Sequence, residues 1–136
     1  SATQPAADAI LSQLVRVART IYSMPPDHGA AIVNEILGSE ALTASWRSEL
    51  NAMRTRINTL RRETVEQLAK TCPQRDFGFI ARQKGMFSFL GLNVEQVTKL
   101  RTQHHVYMTD DSRINIAGLR TDNIPHFARA VAQVLS

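Results

Sequence analysis

The fold is decided by one stretch of the sequence, residues 39–72, which reads SEALTASWRSELNAMRTRINTLRRETVEQLAKTC. Ser39 is a suitable N-cap for a helix, and Pro73, just after the stretch, cannot continue one. Between them, apolar residues recur every three or four positions, as they do on one face of an α-helix: Leu42, Trp46, Leu50, Met53, Ile57, Leu60 and Leu68. We therefore predict a single uninterrupted helix.

This helix is longer than a compact domain of 136 residues is wide. About 33 residues at 1.5 Å each give roughly 50 Å, whereas a compact domain of this size is roughly 36 Å across. Part of the apolar stripe must then be covered by a partner or by a missing segment. We expect this chain to be part of a larger protein, with Ser1 as a processing or cut site.

Shorter elements lie on both sides of the long helix. Two helices are predicted before it, Pro5–Tyr22 and Gly29–Leu37, on either side of a Pro25-Pro26 break. After it, alternating residues and glycines predict extended segments at 77–81, 85–92, 106–108 and 113–119. Further helices are expected to begin at Asn93 and at Thr121 or Asp122. The order predicts an α/β fold in three parts, residues 1–38, 39–72 and 73–136.

Composition excludes several classes of protein. The chain is 43% hydrophobic and 21% charged, which is typical of a globular protein and not of a disordered one. No apolar stretch approaches the roughly 20 residues that cross a membrane. The single cysteine, Cys72, cannot form an internal disulfide. The sequence has no metal-ligand spacing and no phosphate-binding glycine loop, so we predict no metal site.

The excess of positive charge leaves one alternative open. Thirteen arginines and three lysines give a net charge of +4, and four of the arginines cluster in the long helix: Arg54, Arg56, Arg61 and Arg62. They form either a solvated face, partly paired with Glu49, Glu63 and Glu66, or the phosphate-binding face of a free-standing basic helical domain that binds nucleic acid.

Two arginines stand out by their setting. Arg113 leads into an otherwise apolar strand, and Arg19 lies one turn before the Tyr22-Ser23 break. Either side chain is consistent with an ordinary surface arginine. Either is also consistent with a guanidinium fork that holds a substrate carboxylate by two parallel hydrogen bonds.

Several segments together resemble the aspartate/aromatic aminotransferase family, class I of the pyridoxal-phosphate-dependent aminotransferases. Residues 19–29, RTIYSMPPDHG, are similar to the family's R-x-x-Y-S-x-P-P-x-x-G, and residues 85–92, GMFSFLGL, to its G-M-F-S-F-x-G-L. Residues 112–119, SRINIAGL, resemble S-G-R-x-N-x-A-G-L, and residues 46–56 resemble W-x-x-E-L-x-x-M-R-x-R. The resemblance covers nearly the whole chain, in order.

The resemblance implies roles for four residues. Arg113 matches the arginine that binds the substrate α-carboxylate, and Phe87 matches a residue that lines the substrate pocket. Arg19 matches the arginine that reaches into the neighbouring subunit's site and pairs with the side-chain carboxylate of aspartate or glutamate. Ser23 matches a residue close to that arginine. A dicarboxylic substrate needs a charge-assisted partner at each end, which two arginines supply.

The resemblance also implies what lies outside this chain. Residues 1–38 would be the C-terminal edge of the large domain, 39–72 the interdomain helix, and 73–136 the small domain with a short mixed sheet. The family's cofactor is pyridoxal 5'-phosphate, but Lys70, Lys84 and Lys99 do not correspond to its Schiff-base lysine. We therefore assign no catalytic or cofactor-binding residue here and expect this chain alone to be inactive. The parent would be a cytoplasmic homodimer that acts on amino acids and 2-oxo acids, without nucleic-acid or membrane partners.

Three positions depart from the family pattern. Ser112 stands where the family has glycine, and Asp111 precedes it, where its carboxylate either pairs with Arg113 or faces solvent. Met24 stands where many relatives have a polar residue. The preference for aspartate or for aromatic amino acids stays open.

Overall fold

The computed structural model describes residues 3–136, which form two compact units divided between Arg47 and Ser48. The first unit begins with helix α1 (Gln4–Tyr22), whose N-cap Thr3 accepts a hydrogen bond from the Ala6 N–H. After the prolines, helix α2 (Asp27–Gly38) follows. Both helices were predicted from the sequence. Neither contains a buried residue, and apolar side chains of α1 such as Leu14 and Ile21 are exposed.

Helix α3 (Glu40–Thr71) is the predicted long helix, 32 residues without interruption. It begins in the first unit and ends in the second. The Ser39 hydroxyl accepts the Leu42 N–H, as an N-cap does. The apolar stripe is unevenly covered, because Trp46 and Leu50 are 43% and 45% exposed whereas Leu68 is fully buried.

The second unit continues from α3 through four helical elements and two strands. They are α4 (Phe79–Arg82), β1 (Phe87–Phe89), α5 (Val94–His104), β2 (Arg113–Asn115), a 3-10 turn (Ile116–Gly118) and α6 (Ile124–Leu135). One core joins the second half of α3 to these elements; its fully buried members include Leu68, Ile80, Leu100, Ile116 and Val131. No described helix is long and apolar enough to cross a membrane.

Residues 77–81 do not form the predicted strand. The Asp76 carboxylate accepts the Gly78 N–H at 2.6 Å and closes a turn, from which the short helix α4 begins. The buried pair is Phe77 and Ile80, at 2% and 0% exposure. Buried residues are therefore three positions apart, as in a helix, and not two, as in a strand. The alternation of Phe77, Phe79 and Ala81 was misleading because a local side-chain hydrogen bond sets the backbone here.

The sheet is smaller than predicted. Among the described residues it has two strands, β1 and β2, which pair antiparallel. Residues 106–108 are not assigned to a strand. The Val106 N–H instead donates to the Leu100 carbonyl, after His105 turns the chain with a φ of 56° at the end of α5.

The structure confirms Asn93 as the predicted start of α5, and a capping box fixes it there. Its side chain accepts the Gln96 N–H at 2.8 Å, and the Gln96 side chain accepts the Asn93 N–H at 3.0 Å. We expect Asn93→Ala to lower the free energy of unfolding by about 1 kcal/mol. Asn93→Asp, which keeps the acceptor, should cost much less in the same urea titration. Equal losses for both variants would contradict this role of the cap.

Candidate substrate-binding face

The two strands place four side chains on one outward face. In the antiparallel register Phe87 lies opposite Asn115, and Phe89 lies opposite Arg113. All four are exposed, and we call this set the ribbon face. The residues between them point inward, where Ser88 and Ile114 are 1% and 5% exposed. Strand periodicity therefore separates a solvent-facing set from a core-facing pair.

Arg113 and Phe87, two residues predicted to bind substrate, lie together on the ribbon face. The Arg113 Cζ atom is 5.2 Å from the centre of the Phe87 ring, within the range of a cation–π interaction. None of the ion pairs within residues 3–136 includes Arg113. Its planar guanidinium is thus held beside an aromatic ring, with donors available for a carboxylate.

Asp111, whose partner the sequence left open, forms hydrogen bonds with the turn. Its Oδ1 accepts the Thr109 hydroxyl and, at 3.2 Å, the backbone N–H of Arg113. The Thr109 hydrogen bond is the main cause of a lowered pKa of Asp111, and the Arg113 N–H lowers it further. A carboxyl whose pKa falls on folding stabilises the fold above its ordinary pKa of about 3.9, and this contribution is lost as the pH drops below that value.

The backbone of Ser112 has a conformation that favours glycine, the residue that the resemblance implies at this position. Its φ is 61°, in the left-handed region that glycine adopts without strain. The side chain is 1% exposed, and its hydroxyl accepts the N–H groups of Gly91 and Leu92 at 3.0 and 3.2 Å. Ser112 thus has a strained backbone conformation, while its hydroxyl fixes the chain just after β1.

We expect Ser112→Ala to destabilise the protein by about 1–3 kcal/mol, because two N–H groups lose their acceptor. Ser112→Gly loses the same acceptor but relieves the left-handed strain, so it should cost roughly 1 kcal/mol less. Urea titrations of both variants measure the difference. A glycine variant less stable than the alanine variant would contradict this account.

The four clustered arginines of α3 do not lie on one exposed surface. Arg61 is 1% exposed and donates to the carbonyls of Ile80, Gly85 and Phe87 and to the Ser88 hydroxyl. The prediction that it lies on a solvated face was therefore wrong. Arg56 donates to the carbonyls of Ala117 and Leu119, beyond β2.

The remaining arginines of the cluster, Arg54 and Arg62, are exposed. The predicted pairing with Glu49, Glu63 and Glu66 is not found, since none of the ion pairs among the described residues involves these glutamates. Two of the four arginines required for the nucleic-acid alternative are engaged with the chain's own carbonyls.

Arg19 and Ser23, the other two predicted site residues, belong to the first unit. Arg19 lies in the last turn of α1, and Ser23 is its C-cap. Both side chains are exposed, as is Met24 at 85%. The helix end therefore presents a cation and a hydroxyl within one turn.

The described residues offer no built site for the cofactor that the resemblance implies. Lys99 pairs with Glu95 at 2.9 Å on α5, while Lys70 and Lys84 are exposed. None of the three lysines is buried. Within residues 3–136 no three His, Cys, Asp or Glu side chains are grouped to hold a metal.

Two features of the site were missed in the sequence. Phe89 lies directly opposite Arg113, and the Phe-Ser-Phe alternation could have placed it on the face of Phe87. Arg61 lies four residues after Ile57 and three before Thr64, within the stripe that turns inward. Its helical position could have indicated burial, but its charge argued for the surface.

Comparison with known proteins agrees with the resemblance. The family model described as aminotransferase class I and II matches residues 2–131. An aspartate aminotransferase of Pseudomonas aeruginosa is 46% identical over 126 residues, which are 93% of this chain and 32% of that protein. An aromatic-amino-acid aminotransferase of Escherichia coli is 43% identical over 130 residues, 96% of this chain and 33% of that one.

The fold agrees as well. The crystal structure of an aromatic-amino-acid aminotransferase from Burkholderia pseudomallei, covalently bound to pyridoxal phosphate, superposes with a TM-score of 0.87 at 46% identity. The match covers all of this chain and 34% of that one. The chain thus spans about a third of the length of the relatives that it matches. On sequence and structure together, it belongs to the aminotransferase class I and II family.

Proposed function

We propose that this chain is the C-terminal part of an enzyme that transfers an amino group between an L-amino acid and a 2-oxo acid. The amino acid would be aspartate, glutamate or an aromatic amino acid, since both kinds of aminotransferase are among the relatives. The observation that carries this proposal is the position of Arg113 on the ribbon face beside Phe87, free of any ion pair within residues 3–136.

In this proposal Arg113 binds the substrate α-carboxylate and the Phe87 ring limits where the carboxylate can lie. A guanidinium fork orients a carboxylate by two parallel hydrogen bonds. The aromatic face attracts the cation and restrains it in one orientation, which reduces the cost of ordering it on binding. Every amino acid carries an α-carboxylate, so this contact would serve all substrates.

Substrate choice would come from Arg19 and Ser23. An exposed arginine at the end of α1 is suited to pair with the second carboxylate of aspartate or glutamate, and the resemblance implies that it does so in the partner subunit of a homodimer. Pyridoxal phosphate would be held by residues outside this chain, where it would supply the electron sink for the chemistry at the α-carbon. This chain alone would be inactive.

The first test is an assay of the complete gene product. Its intact mass is measured, and the purified protein is given aspartate labelled with nitrogen-15 or labelled phenylalanine, together with 2-oxoglutarate. We expect a product about three times the length of this chain and labelled glutamate from at least one donor. A native product of about 15 kDa without transfer would overturn the proposal, and salt-dependent nucleic-acid binding would then be the next assay.

A further inference from the structure

Arg61 is the one charged side chain that is buried in the described part of the protein. Its Nη1 donates to the Ile80 carbonyl and the Ser88 hydroxyl, both at 2.8 Å. Its Nη2 donates to the carbonyls of Gly85 and Phe87 at 2.8 and 3.1 Å. No ion pair within residues 3–136 includes it. The buried cation is therefore stabilised by neutral dipoles.

Two of these four acceptors, the Phe87 carbonyl and the Ser88 hydroxyl, belong to β1, and the Gly85 carbonyl lies two residues before it. The Phe87 carbonyl is part of the peptide bond that links Phe87 to Ser88. Because Arg61 donates both to this carbonyl and to the Ser88 hydroxyl, it holds the peptide plane in one orientation. The Ser88 hydroxyl is held at a second point, because it also donates to Gln83 Oε1 at 2.6 Å. With Ser88 held inward, Phe87 is turned outward to the ribbon face.

The same contacts reach Arg113 through the ribbon. Phe89 is paired with Arg113, and the Ile116 N–H donates to the Met86 carbonyl at 2.8 Å beyond the paired residues. A shift of β1 would thus move the Phe87 ring relative to the Arg113 guanidinium, from which it is now separated by 5.2 Å.

We infer that Arg61 is a positioning residue, which acts through Ser88 and the Gly85 and Phe87 carbonyls to set Phe87 against Arg113 and so shapes the site for the substrate α-carboxylate. This inference rests on the proposed function. It assigns a role to a side chain that lies behind the ribbon and does not touch the face where substrate would bind.

Arginine is suited to this position for a geometric reason. Its planar guanidinium presents donors at two ends and so reaches four acceptors that surround it. A lysine ammonium keeps the charge but directs its donors from one point, and it cannot reach the same set. Arg61→Lys therefore tests geometry at constant charge. Arg62→Lys is the matched control, because Arg62 is exposed and, within residues 3–136, donates to the Thr59 hydroxyl alone.

The experiment uses the full-length protein and measures kcat and KM separately for aspartate and phenylalanine. A misplacement of about 1 Å can weaken catalysis by as much as about 100-fold. We expect Arg61→Lys to raise KM about 10-fold for both substrates, since both carry the α-carboxylate, and Arg62→Lys to change neither. Affinity for 3-phenylpropionate, a carboxylate that cannot react, should fall by a similar factor.

A purely structural role would give a different result. Arg61→Lys would then lower the melting temperature and the fraction of active protein, so kcat would fall while KM and 3-phenylpropionate affinity stayed unchanged. That result would overturn the inference. Should Arg61→Lys fail to fold, Ser88→Ala decides, because it removes one acceptor and leaves the cation. We expect its KM to rise about 3-fold for both substrates, and an unchanged KM would overturn the inference.

Arg113→Leu is measured in parallel to separate two kinds of failure. A normal KM for Arg113→Leu would show that the proposed substrate site itself is wrong, and the role of Arg61 would fall with it. A raised KM for Arg113→Leu beside an unchanged KM for Arg61→Lys and Ser88→Ala would leave the proposed function intact and reject the positioning role alone.

Discussion

Replacing Arg113 with leucine in the full-length protein is expected to lower kcat/KM by about 10²- to 10⁴-fold for every amino acid substrate. Loss of one partner from a hydrogen-bonded charge pair costs roughly 3–5 kcal/mol, and each 1.36 kcal/mol is a factor of ten in rate. The structure supports an effect common to all substrates, because Arg113 has no competing ion pair within residues 3–136 and is held beside Phe87.

Two further variants make the Arg113 result interpretable. Arg113→Lys keeps the charge but loses the fork, so it should be intermediate between leucine and wild type. Arg129→Leu removes an exposed arginine from α6 and should change kcat/KM by less than about 2-fold. An unchanged kcat/KM in Arg113→Leu, or an equal loss in Arg129→Leu, would show that Arg113 does not bind the substrate.

Features set by nearby residues were predictable from the sequence. The Asn93 cap and the unbroken α3 depend on residues within a turn or on a repeating apolar stripe, and both are present. The prediction of a strand at residues 77–81 was wrong because the Asp76 carboxylate accepts the Gly78 N–H and closes a turn there. An alternating pattern of residues does not reveal such a local hydrogen bond.

Features that depend on tertiary contacts were not predictable. The sequence gives Arg61 and Arg62 the same charge on the same helix, yet one is 1% exposed and the other is exposed. What separates them is the set of carbonyls at Gly85 and Phe87, more than twenty residues further along the chain. Likewise, the pairing of Phe89 with Arg113 depends on a register that neither strand specifies alone.

Arg19→Leu is expected to change substrate choice and not activity in general. If Arg19 pairs with the second carboxylate of aspartate, its loss should cost a charge pair of about 3–5 kcal/mol, or roughly 10²- to 10⁴-fold in kcat/KM for aspartate and glutamate. An aromatic side chain has no charge to pair, so kcat/KM for phenylalanine should change by less than about 3-fold. Arg113→Leu should lower kcat/KM for all substrates, whereas Arg19→Leu should lower it mainly for dicarboxylates. This difference would assign the two arginines to opposite ends of the substrate.

The matched control for Arg19 lies one turn earlier on the same helix. Arg16 is also exposed, and Arg16→Leu removes the same charge from α1. We expect it to leave the ratio of kcat/KM for aspartate and phenylalanine nearly unchanged, because an exposed charge that does not pair directly with the second carboxylate contributes little in water. Equal losses for both substrates in Arg19→Leu, or an equal change of the ratio in Arg16→Leu, would mean that α1 contributes charge or stability but does not recognise the second carboxylate.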